Sequence, residues 1–133
     1  MTDRVLLELA AKATGRKFNV SRESPSGWLL ATQRKAPDGS FVEDGVWRPL
    51  TDDGDALRLA VQLRIEITQS NVLDDSSWVS ASRWGYAGRQ LPVVITERVV
   101  NETERQAITR WTIVRAAAEI GKACAAETVK QTD

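Results

Sequence analysis

The run Ala36-Pro37-Asp38-Gly39-Ser40 constrains the fold more than any other stretch of this chain. Proline presets the first turn dihedral, aspartate bonds its own backbone, and glycine takes a positive φ without steric cost. Strand-type runs flank it, Trp28 to Arg34 before and Phe41-Val42 after. Two strands joined by so short a loop run antiparallel, because parallel neighbours need a crossover of a dozen or more residues. Further short strands read at Lys17 to Ser21, Ile65 to Gln69, Trp78 to Ser82 and Val93 to Val100, with Glu66 and Thr68 alternating outward in the second of these.

Three helical patterns separate these runs. Arg4 to Thr14 carries a stripe of Val5, Leu6, Leu9, Ala10 and Ala13, with Thr2 or Asp3 as cap and Gly15 at the left-handed exit position. A second helix starts after Trp47-Arg48-Pro49-Leu50, with Thr51 as its expected cap and Ala56, Leu57, Leu59, Ala60 and Leu63 as its buried face. The third and longest opens at Asn101, with Glu104 completing a capping-box pattern, and is expected to end near Ala126. Its small residues, Ala116-Ala117-Ala118, Gly121 and Ala125, allow close approach to the domain's own sheet or to a second copy of the chain, so a homodimer is expected.

The expected fold is therefore α/β of the α+β kind. It is a layered sandwich of three helices on a mixed or antiparallel sheet, in the order α-βββ-α-βββ-α. Residues 1–126 form one domain and 127–133 a polar tail. An offset of fifty residues pairs Leu7 with Leu57, Leu9 with Leu59, Ala10 with Ala60, Trp28 with Trp78 and Ala31 with Ala81, the mark of an internal duplication.

Composition narrows the chemistry. The chain has no histidine, which excludes Ser-His-Asp and Cys-His catalysis and histidine metal sites. Cys124 is its single cysteine, so no internal disulfide or multi-cysteine zinc site can form. Eighteen basic and eighteen acidic residues cancel, which makes nucleic acid an unlikely partner, since non-specific binding rests on phosphate neutralisation. No apolar run approaches the roughly 20 residues of a membrane span, and the charged N-terminus does not resemble a signal region. The host-cell cytoplasm is the expected location.

Two segments carry a resemblance. Trp47-Arg48-Pro49-Leu50-Thr51-Asp52-Asp53-Gly54-Asp55-Ala56-Leu57-Arg58-Leu59-Ala60-Val61 and Ile113-Val114-Arg115-Ala116-Ala117-Ala118-Glu119-Ile120-Gly121 resemble the signature and C-terminal helix of the phage alpha-beta-alpha sandwich domain family. The opening Leu6-Leu7-Glu8-Leu9-Ala10-Ala11-Lys12-Ala13 agrees with it, whereas Arg48 stands where asparagine is expected. The resemblance implies a phage origin and a layered fold, and transfers no functional residue.

Two stretches invite a site. Asp52, Asp53 and Asp55 are weak candidates for a hard cation such as Mg²⁺, but helix capping and dipole compensation account for all three. Ser82-Arg83-Trp84-Gly85-Tyr86-Ala87-Gly88-Arg89-Gln90 combines aromatic faces that can stack on a base with arginine forks that can hold phosphate. Arg83, Trp84, Tyr86 and Arg89, with Trp78 on the preceding strand, are the candidate ligand-binding residues. A hairpin loop packed on its own aromatics is the plain alternative. No cofactor fingerprint, neither Walker nor dinucleotide, is present.

These features lead to a non-enzymatic phage accessory protein binding a small anionic, nucleotide-like ligand, with sequestration of a host defence signal as its expected role. A protein-interaction module acting on a host or phage protein through a Trp-rich surface is the alternative. A Mg²⁺-dependent phosphoesterase built on the three aspartates ranks third.

Overall fold

The computed structural model describes residues 2–84 and 92–131, the side chains of 125–131 excepted. Its elements are α1 (Asp3–Thr14), β1 (Val20–Ser24), β2 (Gly27–Lys35), β3 (Phe41–Trp47), α2 (Asp53–Leu63), β4 (Glu66–Gln69), β5 (Trp78–Arg83), β6 (Val93–Arg98) and α3 (Arg105–Gln131), α3 being preceded by a 3₁₀ turn at Glu102–Glu104. The order is α-βββ-α-βββ-α. The strands form two separate antiparallel sheets, β1-β2-β3 and β4-β5-β6, so the class is α+β.

Local chemistry explains most boundaries. Thr2 Oγ1 accepts the Val5 N–H at 3.3 Å, and Gly15 leaves α1 at φ 75°, where an L side chain would crowd the backbone. The cap of α2 is Asp52, not Thr51: the chain turns over Arg48–Thr51 first, and the extended Asp52 then accepts the Asp55 N–H at 2.8 Å. Arg64 takes the left-handed conformation, φ 59°, so α2 passes into β4 without a loop. The first strand begins at Val20 rather than Lys17. Ahead of it, Arg16 lies over the rings of Phe18 and Trp47, which stack 5.3 Å apart. The Asn19 side chain bonds both the N–H and the carbonyl of Gln33, where the β2–β3 register shifts.

Helix α3 organises the core. It packs on α1, on α2 and on both β5 and β6. Thr112, Ile113, Val114, Ala116, Ala117, Ala118 and Ile120 are all buried, so it is enclosed on several sides. The buried face of α1 is Leu6, Leu7, Ala10 and Ala11, rotated from the expected stripe, and Val5 is exposed. The rotation follows from the contact with α3, where a Cβ on Gly121 would lie 1.9 Å from the Leu9 carbonyl oxygen. At Gly121 that small-residue face of α3 is occupied by α1. The helix also runs past Ala126 to Gln131, through Glu127, Lys130 and Gln131, which all favour helix.

The two halves share a topology but not a face. α1 and α2 begin at Asp3 and Asp53, fifty residues apart. Yet Trp28 packs against the core beside Leu30, whereas Trp78 points to the outer face of its sheet, because there Ala81 is the core residue. A shift of one residue reverses every side chain in a strand, so the Trp28–Trp78 match does not mark equivalent positions.

Replacing Gly121 by alanine tests the α1–α3 contact. Alanine favours helix over glycine by about 1 kcal/mol, but the added methyl meets backbone and forces the helices apart. We expect a net loss of about 1–3 kcal/mol in urea unfolding, larger still for valine. A stabilised G121A protein would refute the packing.

Candidate functional site

Alternation along β5 decides the surface chemistry. Val79 and Ala81 point inward under α3, so Trp78, Ser80 and Ser82 point outward. Register carries the same face across the sheet. Thr68, Ser80 and Thr96 form one row and Glu66, Ser82 and Val94 another, while Trp78 lies opposite Arg98. Thr96 Oγ1 bonds Ser80 Oγ at 3.0 Å. With Ser76, Ser77 and Trp84 these residues line a cleft of about 870 Å³, within the range of small-ligand sites.

Each end of the cleft pairs an indole with a charge. Trp78 and Arg98 are direct cross-strand partners, with β-carbons about 4.5–5.5 Å apart. Trp84 lies two residues beyond Ser82, so it is the diagonal neighbour of Glu66, about 7–8 Å away. Trp84 is 64% exposed, so its indole face is open to the cleft. Hydroxyls and Val94 make the floor between.

Of the residues singled out from the sequence, Trp78 and Trp84 come together in this one lining. Arg83 pairs with Val93 and shares the inner register of Val79 and Ala81, so it belongs to the opposite face from the cleft. Tyr86 and Arg89 lie outside the described residues. Arg98, Glu66, Ser80, Ser82, Thr68 and Thr96 were not singled out. The signal for them was the period-two alternation in β4, β5 and β6, which puts every second polar residue on one face.

The first sheet has no matching site. Its outer hollow, about 620 Å³, has no aromatic in the lining, and its Arg22 is held by Glu43 at 2.6 and 2.9 Å. That bidentate pair runs from β1 to β3 over β2, on the face of Leu29. It raises the Arg22 pKa and lowers that of Glu43.

The acidic run is used within the scaffold. Asp52 caps α2, Asp53 Oδ1 takes Arg110 Nη1 of α3 at 2.5 Å, and Asp55 takes the Arg48 N–H at 3.0 Å and Arg58 at 2.7 Å. The three carboxylates are thus held by groups of the scaffold itself, Asp52 and Asp55 sharing Arg58. Among the described residues no group of three or more acids or cysteines is placed to hold a metal ion.

Arg105, first residue of α3, anchors one end of the cleft. Its guanidinium donates to Glu102 at 2.7 and 3.0 Å, to Gln69 at 3.1 Å, to the Trp78 carbonyl at 3.4 Å and to Ser77 Oγ. Ser77 Oγ in turn donates to Glu102 at 2.7 Å. Arg105, then Ser77, hold the Glu102 carboxyl down to a pKa of about 2. Among the described residues no helix is long and apolar enough to cross a membrane. No family model, curated protein or solved structure matches this chain.

The Glu102 network sets an acid dependence. A carboxyl whose pKa falls on folding stabilises the folded state fully above its ordinary value of 4.5, and that contribution disappears as pH drops through about 2. Urea midpoints of wild type and Glu102→Gln should therefore differ above pH 4.5 and converge towards pH 2. A constant difference across that window would show that the carboxylate charge does not matter to the network.

Proposed function

We propose that this protein binds a nucleotide-like ligand without transforming it, and that the outer face of the second sheet is the site. The observation that carries the reading is the meeting of Trp78, Trp84 and Arg98 in one cleft. An indole face accepts any base by stacking, a guanidinium fork fits a phosphate, and a hydroxyl floor satisfies a ribose. Arg98 takes the phosphate role that the sequence suggested for Arg83 and Arg89. It has no ion pair with another described residue, so its donors are available.

Binding in place of catalysis is favoured by the lining itself. Glu66 is its one carboxylate, and no hydrogen bond joins it to Ser82 directly across the ladder. Ser77, the lining hydroxyl that does meet a carboxylate, donates to Glu102 at 2.7 Å, and with its pKa held down to about 2, chiefly by Arg105, that carboxylate is a weak base for activating a nucleophile. The likeness of three sequence segments to phage alpha-beta-alpha sandwich proteins supports an accessory role, in which binding lowers the free concentration of a nucleotide-type signal.

Titration with a panel of 5′-mononucleotides, read by tryptophan fluorescence and calorimetry, tests the proposal. Stacking is worth about 1–3 kcal/mol per base, so Trp84→Ala should weaken binding about ten- to a hundredfold. Arg98→Ala should weaken it as well and reduce its sensitivity to salt. Both side chains are exposed, so melting temperatures should hold. No binding by wild type across the panel, or a large loss of stability in Trp84→Ala, overturns the reading.

A further inference from the structure

We infer that Glu66 makes the cleft selective for guanine. The inference rests on the nucleotide reading above and adds the identity of the base.

The cleft is dipolar. Arg98 on β6 stands at the Trp78 end and Glu66 on β4 at the Trp84 end, four residues apart along β5 and two strands apart across the sheet, or about 16 Å between α-carbons at 3.3 Å per residue and about 4.8 Å per strand. The long Arg98 stem can lean inward and shorten that span. A phosphate is attracted to the Arg98 end and repelled from the other. What meets Glu66 must therefore be the donor edge of the ligand.

Glu66 is free for this work. Elsewhere on the described surface Glu8, Glu43, Asp53 and Glu102 each hold an arginine. Glu66 has no hydrogen bond or ion pair with any described residue, and its side chain is exposed on the edge strand β4. It lies on the same face as Trp84 and diagonal to it. A purine lying on that indole turns one edge towards the carboxylate.

The chemistry of that edge then discriminates. Guanine presents its ring N1–H and its exocyclic amino group side by side, two donors for the two oxygens of a carboxylate. The match has the geometry of an arginine fork on an acid. Adenine offers one amino donor next to an unprotonated ring nitrogen, whose lone pair would face the second oxygen. Hypoxanthine keeps the N1–H and lacks the amino group. It therefore falls between the two.

Calorimetric titration of wild type, Glu66→Gln and Glu66→Ala with GMP, IMP and AMP tests this. Wild type should prefer GMP to AMP by about tenfold or more, the worth of one charge-assisted hydrogen bond, with IMP intermediate. Both variants should bind GMP no better than AMP. Wild type that binds nucleotides through Trp84 but without a guanine preference overturns the inference and leaves the binding site standing. So does a preference that survives in Glu66→Gln and Glu66→Ala. Wild type that binds none of the three overturns the nucleotide reading itself, and the inference falls with it.

Discussion

The contact between α1 and α3 at Gly121 underlies the rest of the structure. With no Cβ at that position, the Leu9 carbonyl of α1 sits where a side chain would otherwise be. The close approach fixes which face of α1 turns inward and holds α3 among α1, α2 and the second sheet. Burial of Leu6, Leu7, Ile113, Val114 and their neighbours follows, each large side chain contributing about 1.5–3 kcal/mol. Because α3 covers the inner face of β5 and β6, the Trp78–Ser82 face is left outward.

The halves of the molecule repeat one topology and use it differently. In the first sheet the tryptophan at the start of the central strand packs against the core, and a bidentate ion pair crosses the outer face. In the second the tryptophan turns outward and no such pair crosses its outer face among the described residues. One residue of register separates these outcomes, since alternation is strict in a strand. The same alternation that buries Val79 and Ala81 builds the hydroxyl floor from Ser80 and Ser82.

Electrostatics divides into structural and available charge. Asp52, Asp53, Asp55 and Glu102 are consumed in capping α2, tying it to α3, and fixing the start of α3 against the second sheet. An acidic cluster that could suggest a cation site in a linear reading is thereby committed to partners within the scaffold. The charges left over in the cleft, Arg98 and Glu66, are opposite in sign and set at opposite ends. Positive charge is thus locally available on a neutral chain without an overall basic patch.

The sequence by itself determined the element order, a cap for α1 at Thr2 or Asp3, the left-handed exit at Gly15 and the Pro37-Asp38-Gly39 turn, while the Asn101 cap it placed on the long helix serves the 3₁₀ turn ahead of α3. These depend on dihedral preferences and hydrogen bonds within a few residues, so the local sequence contains their cause. It also determined the candidacy of Trp78 and Trp84, though not their partners. Only the tertiary structure decided that the strands split into two sheets, that Asp52 rather than Thr51 caps α2, and that α1 turns its Leu7 and Ala11 inward. It alone put Arg98 beside Trp78 and Glu66 beside Trp84. Those pairings join strands up to twenty residues apart through register, and register is set by how each sheet packs on its helices, which no local pattern encodes.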